Sequence, residues 1–202
     1  MSEHVKCNAI ILYENPYGEA DKMLTAFSDE FGKISVSAKG AKKTGSRFLA
    51  VSQQFCYSRM ELSYAKNGIY TLCEGELISS FYNIRTDYDV LTVAEELVRL
   101  TARVAQEECK DENILRLLLN ALSFLTVKGR NLPLVYNAFA IRLVYDQGFF
   151  EPQKTRLEGT SQALAHIIGN DYGKLFCFDV SDTVLSELSA IAKKAVELML
   201  AY

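Results

Sequence analysis

The chain has 202 residues, 49% of them hydrophobic and 23% charged, with a formal net charge of -3. That composition suits a folded protein with a real core in one large or two small domains, and the acidic balance excludes an indiscriminate nucleic-acid coat protein. No apolar run approaches the roughly 20 residues needed to span a bilayer, and the first ten residues lack a signal peptide's apolar stretch, so a cytoplasmic location is expected.

The first eighty residues or so read as short strands. Ala9 to Tyr13 is apolar and β-branched, and Glu14-Asn15-Pro16-Tyr17-Gly18 is turn material. Lys22 to Ser28 forms a second strand, with Met23, Thr25 and Phe27 on one face. Phe31-Gly32 turns the chain into a third, Ile34-Ser35-Val36-Ser37-Ala38, which leads into Lys39-Gly40-Ala41-Lys42-Lys43-Thr44-Gly45-Ser46-Arg47. That run holds two glycines and no large apolar residue, and it reads as a mobile loop. Gln54 to Tyr64 and Ile69 to Leu77 make the fourth and fifth strands, joined at Asn67-Gly68, a strong hairpin signal. Five short strands with a basic loop after the third predict a small OB-fold barrel; a five-stranded SH3-like barrel would share the pattern.

The charge around that loop is uneven. Between Glu30 and Glu61 there is no acid, while Lys33, Lys39, Lys42, Lys43, Arg47 and Arg59 all fall there. A glycine-containing basic loop lets the chain approach a polyanion closely, each cation neutralising one phosphate. The competing reading is a solvated lysine loop that binds nothing. Tyr57, Tyr64 and Tyr70 lie on the strands after the loop and are candidates for stacking bases, whereas Phe55 reads as core.

Past Ser79 the apolar period becomes helical. Val90, Val93, Leu97, Leu100 and Val104 form one stripe, with Glu95 and Arg99 expected to pair off it. Asp111 can cap a second helix that buries Ile114, Leu117, Leu118, Ala121, Leu122 and Leu125. Asn131 and Pro133 open a third, apolar nearly all round and therefore central. Thr160 to Ile168 is a shorter fourth helix. Ser181 caps a fifth, whose stripe is Val184, Leu188, Ile191, Ala195 and Met199. The chain is thus predicted as multidomain, β then α: an OB-fold domain over 1–80 and a helical bundle over 81–202.

Catalytic signals are sparse. The two histidines, His4 and His166, have no companion nucleophile in sequence, and neither a P-loop nor a dinucleotide fingerprint is present. Tyr17-Gly18-Glu19-Ala20-Asp21 places two acids in a turn, and it reads as a turn with strand-edge hydrogen bonds in preference to a metal site. Cys7, Cys56, Cys73, Cys109 and Cys177 are odd in number and widely spread, which fits reduced, mostly buried thiols. No enzyme activity, catalytic residue, cofactor or metal is expected.

Several stretches carry a family resemblance. Tyr17-Gly18-Glu19-Ala20-Asp21-Lys22-Met23-Leu24-Thr25, Gly32-Lys33-Ile34, Ala38-Lys39-Gly40-Ala41-Lys42-Lys43 and Ser46-Arg47-Phe48 resemble the N-terminal signature of the RecO family, bacterial recombination mediators in DNA repair. Phe139-Ala140-Ile141-Arg142-Leu143, Gly148-Phe149 and Pro152 resemble that family's central helix and following turn, and Lys174 to Ser181 its approach to the last helix. The resemblance implies an OB-fold, then helices. It implies binding of single- and double-stranded DNA through Lys33, Lys39, Lys42, Lys43, Arg47 and Arg59, annealing of complementary strands, and association with the nucleoid. It also implies two partners: RecR, and the acidic tail of single-strand-binding protein. Such a tail needs an apolar groove beside cations, for which Arg130 and Arg142 are the candidates, though Arg142 could instead be a structural ion-pair partner. The family pattern carries a four-cysteine zinc module between the central and final helices. Here Pro152 leads to Gln153-Lys154-Thr155-Arg156 with no cysteine before Cys177, so the module is read as deleted. An adaptor whose basic loop meets an acidic protein is the alternative function; a hydrolase in the helical part is disfavoured by the histidine count.

Overall fold

Alternating apolar side chains close the first part of the chain into a barrel in the computed structural model, which describes residues 4–64, 68–151 and 154–201. The strands are β1 (His4–Tyr17), β2 (Asp21–Ser28), β3 (Gly32–Ala38), β4 (Tyr57–Tyr64) and β5 (Ile69–Ser79). β1 is long enough to serve two neighbours. Its first half pairs with β4, from His4 opposite Ser63 to Ile10 opposite Tyr57, and its second half pairs with β2 out to Tyr17 opposite Asp21. A register shift between Ile11 and Tyr13 marks the bend that this requires. Parallel pairing of β3 with β5 completes the closed order β1-β2-β3-β5-β4. That is the OB arrangement and not the SH3-like one. Ala9, Ile11, Leu24, Ala26, Ile34, Val36, Met60, Leu62 and Leu72 fill the interior.

Asn67, half of the expected hairpin turn, and Pro152, where the deletion is expected, lie outside the described residues. β4 and β5 do pair antiparallel up to Tyr64 opposite Tyr70.

The barrel unit takes in Met1–Phe81 together with Ala102–Leu115. Ala102–Leu115, which follows most of the first helix in sequence, thus clusters with the barrel. Gly32 and Lys33 form bridges to Glu107, and the Lys33 amide donates to the Gln106 carbonyl at 3.1 Å. Gly32 holds a φ of +63°, and a Cβ there would stand 2.2 Å from the Cys109 carbonyl oxygen. This close backbone approach requires glycine.

The remaining unit, Tyr82–Thr101 and Arg116–Tyr202, is helical. The helices of the chain are α1 (Tyr88–Val104), α2 (Glu112–Leu125), α3 (Leu132–Asp146), α4 (Glu158–Gly169) and α5 (Asp182–Met199), with a 3-10 turn over Tyr82–Thr86 before them. The predicted caps form: Asp111 accepts from the Ile114 amide at 3.0 Å, Asn131 from Leu134 at 3.1 Å and Ser181 from Val184 at 3.5 Å. α3 is buried on nearly every side and packs against α4 and α5.

Three details differ from expectation. Arg99 pairs with Glu96, one turn back, where the spacing points to Glu95. Ala192 replaces Ile191 on the buried stripe of α5, leaving Ile191 half-buried. Only Cys7 and Cys56 are buried; Cys73 is half-exposed, and Cys109 and Cys177 are exposed because both occupy segments between helices or before them. All five are free thiols.

Candidate nucleic-acid interface

The basic run is built rather than loose. From Lys39 to Phe55 the chain makes successive turns, closed by Lys43 to Gly40, Ser46 to Lys43, Leu49 to Ser46 and Ser52 to Phe48 backbone bonds. Ala41, Phe48 and Val51 are buried against the barrel interior and anchor it. Phe48 and Val51 lie just past the polar run, which is why its own composition suggested a mobile loop.

A second set of contacts fastens this segment to the turn between β1 and β2. The Lys42 amide donates to the Ala20 carbonyl at 2.8 Å, and the Gly40 amide donates to Asp21 Oδ1 at 2.7 Å. Asp21 is thus a backbone partner, in keeping with the turn reading of Tyr17 to Asp21. The Lys42 ammonium reaches the Gly18 carbonyl at 3.3 Å.

On this scaffold Lys39, Lys42, Lys43 and Arg47 are exposed, and among the described residues none of the four has an ion-pair partner. Arg47 donates to the Cys73 carbonyl at 2.8 Å and lies over the Phe48 ring, 4.7 Å from its centroid. Carbonyls and ring faces orient these cations without cancelling their charge, so the segment keeps its field.

Two of the six predicted cations stand apart. Arg59 forms an ion pair with Glu76 at 3.2 Å, its neighbour across β4 and β5. Lys33 is half-buried and donates to the Ala102 carbonyl at 3.2 Å, in the last turn of α1, where a cation satisfies an orphan acceptor and the helix dipole.

The three tyrosines do not form one group: Tyr64 and Tyr70 share a ring cluster, and Tyr57 is half-buried in β4. Tyr64 and Tyr70 share the alternation of Leu62 and Leu72, so they follow the inward positions to the barrel's end. There the Tyr64 and Tyr70 rings meet at 5.1 Å, and Tyr70 meets Phe31 at 5.7 Å. In the β3–β5 pairing Tyr70 stands opposite Val36, two positions before the end of β3 from which the basic segment leaves. Tyr57 is half-buried, and burial, with Asp29 next, raises its hydroxyl pKa. Phe55 is buried as expected, at a φ of +64°.

In the helical unit a groove of about 260 Å³ is lined by Phe124, Phe176 and Phe178 together with Lys128, Arg130 and Asp179. Arg130 sits on this groove; burial lowers its pKa while Asp87 opposes the shift. Arg142 is elsewhere. Its guanidinium bonds Asp146 at 2.9 Å and the Ile167 and Asn170 carbonyls at 3.1 and 2.6 Å, and it stacks 4.5 Å from the Tyr172 centroid. Every one of these contacts is internal, so Arg142 is placed as a structural residue.

His166 lies 4.5 Å from the Phe178 ring, and its Nε2 donates to the Lys174 carbonyl at 3.2 Å, which leaves that nitrogen no base role. Among the described residues no three His, Cys, Asp or Glu side chains gather as a metal site. A structural zinc needs four such ligands, so these residues do not fit the family's zinc module. No helix among the described residues is long and apolar enough to cross a membrane.

Comparison with known proteins gives the same direction. Residues 1–81 match the family described as Recombination protein O N terminal. The DNA repair protein RecO of Acetivibrio thermocellus is 31% identical, with 95% of this chain and 90% of that protein covered. Its alignment runs over 226 positions, more than the 202 residues here, so the relative carries residues that this chain lacks. The RecO of Caldicellulosiruptor saccharolyticus is 36% identical over 75% of this chain and 61% of its own length, and that of Bacillus velezensis 38% over 57% and 45%. With an OB barrel followed by helices and relatives matched along most of its length, the chain belongs to the RecO family of DNA repair proteins.

Proposed function

We propose that this protein is a non-catalytic mediator that holds single- and double-stranded DNA on the face formed by the β1–β2 turn and residues 39–47. There it brings complementary strands together to anneal. The observation that carries this reading is the group Lys39, Lys42, Lys43 and Arg47, exposed on a hydrogen-bonded scaffold with, among the described residues, no carboxylate paired to any of them. Two strands repel each other through their phosphates, and fixed cations between them screen that repulsion without any bond being made or broken. Arg59, neutralised by Glu76, and Lys33, turned to a helix end, contribute little.

The reading extends to partners. With RecR the protein assists loading of the recombinase onto DNA covered by single-strand-binding protein, whose acidic, apolar-ended tail enters the groove beside Arg130 and Lys128. Apolar rings for the tail's end and cations for its carboxylates are the chemistry that such a tail needs.

The test is fluorescence anisotropy with labelled oligonucleotides. Replacing both Lys42 and Lys43 with Ala should weaken binding alike for every sequence, while Arg59→Ala stays close to wild type. Equal affinity of the double variant and wild type would overturn the proposal.

A further inference from the structure

The geometry points to Tyr17 as the ring on which an unpaired base stacks at the basic face; this rests on the nucleic-acid reading above and assigns that face its selectivity for single strands. Tyr17 ends β1 and is 61% exposed. Among the described residues its side chain has no hydrogen bond and no ring partner. The next residue, Gly18, turns the chain at a φ of +61°, with nothing within 4 Å of the place its Cβ would take. The turn itself is therefore uncrowded, and the exposure of Tyr17 leaves its ring open to solvent.

What ties this ring to the cations is the loop pairing. Lys42 donates through its amide to the Ala20 carbonyl at 2.8 Å and through its ammonium to the Gly18 carbonyl at 3.3 Å. The ammonium stands one residue from Tyr17. Asp21, the first residue of β2, accepts from the Gly40 amide and so holds the two loops in register, while Glu19 in the turn itself is exposed. A ring fixed beside a phosphate-binding cation is the arrangement that lets backbone charge and base face be held together.

The other rings are less suited. Tyr64, Tyr70 and Phe31 already pack on each other, and Tyr57 is half-buried. Phosphate contacts alone do not tell a single strand from a duplex, since both present the same backbone. A stacking ring does, because bases in a duplex are already stacked on one another. Tyr17 is thereby a selectivity residue, and the lysines carry the affinity common to both forms.

The experiment compares wild type with Tyr17→Ala and Tyr17→Phe on three labelled probes of equal length: oligo-dT, an abasic strand and a duplex. Tyr17→Ala should lose about tenfold in affinity for oligo-dT and leave the abasic strand and the duplex unchanged, with Tyr17→Phe behaving as wild type. Equal losses on oligo-dT and the abasic strand, or no loss on either, would overturn the assignment of Tyr17. The Lys42, Lys43 double variant, run beside it, separates the two claims. If that variant weakens all three probes while Tyr17→Ala weakens none, the charged face stands and the stacking ring is refuted.

Discussion

Placing a methyl group on Gly32 tests how the segment after α1 is joined to the barrel. The new Cβ would stand 2.2 Å from the Cys109 carbonyl oxygen, 2.7 Å from its carbon and 2.9 Å from its nitrogen, all backbone atoms that no rotamer change can clear. A φ of +63° adds a conformational penalty of about 1–2 kcal/mol for alanine, and overpacking against a fixed neighbour adds about 1–3 kcal/mol. Gly32→Ala should therefore destabilise the barrel unit by about 2–5 kcal/mol. With a slope of about 2 kcal/mol per molar urea, the midpoint falls by roughly 1–2.5 M. Gly45→Ala is the control, because Gly45 has a φ of +77° and open space around it, so only the conformational part applies. Urea unfolding followed by circular dichroism gives both values, and hydrogen exchange over residues 105–111 should rise in Gly32→Ala alone. If the two variants lose the same stability, the close approach at Cys109 contributes nothing and the reasoning fails.

Other perturbations follow from the same contacts. Arg142→Ala removes one side of an ion pair whose side chains are only 12% and 10% exposed, and it should destabilise the fold by about 3–5 kcal/mol, measured by urea unfolding. Arg130→Ala should keep its melting temperature yet lose capture of an acidic, apolar-ended peptide; retained capture would remove Arg130 from the groove's function. Glu187 accepts from the Thr160 hydroxyl at 2.6 Å and from the Arg156 and Leu157 amides at the start of α4, which holds its pKa below the usual carboxylate value. A depressed pKa stabilises the folded state above the unfolded value of 4.5 and loses that contribution as pH falls through the folded one. Glu187→Gln should thus be less stable than wild type at neutral pH, with the gap closing in acid; a gap independent of pH would contradict the assignment. A metal chelator should leave the melting temperature unchanged, and a chelator-induced drop would show that zinc is held after all.

The sequence carried the local pattern of this fold well and its long-range closures poorly. Five strands and five helices were legible because alternation and helical stripes are properties of short windows, and Asp111, Asn131 and Ser181 announced their helices by capping chemistry alone. What a window could not contain was the partner from another strand. Arg59 lies in an acid-free stretch, yet its neutralising carboxylate, Glu76, arrives across the β4–β5 pair. Lys33 finds the Ala102 carbonyl 69 positions away, in a segment that returns to the barrel only in three dimensions. Alternation located Tyr64 and Tyr70 on strands but did not say which parity faces inward at the barrel's end. Tyr17 was read as turn material, and its proximity to Lys42 appears only once the two loops are paired.

The account rests most heavily on the claim that four cations, and not six, meet the phosphates. Measuring the affinity of wild type for a single-stranded oligonucleotide across a range of salt concentrations counts them. Each phosphate neutralised on a single strand contributes about -0.7 to the slope of log K against log salt. Four contacts predict a slope of about -2.8, against about -4.2 for six, and the Lys42, Lys43 double variant should fall to about -1.4. A wild-type slope of about -4.2 or near zero, or a slope that the double variant leaves unchanged, would contradict the account.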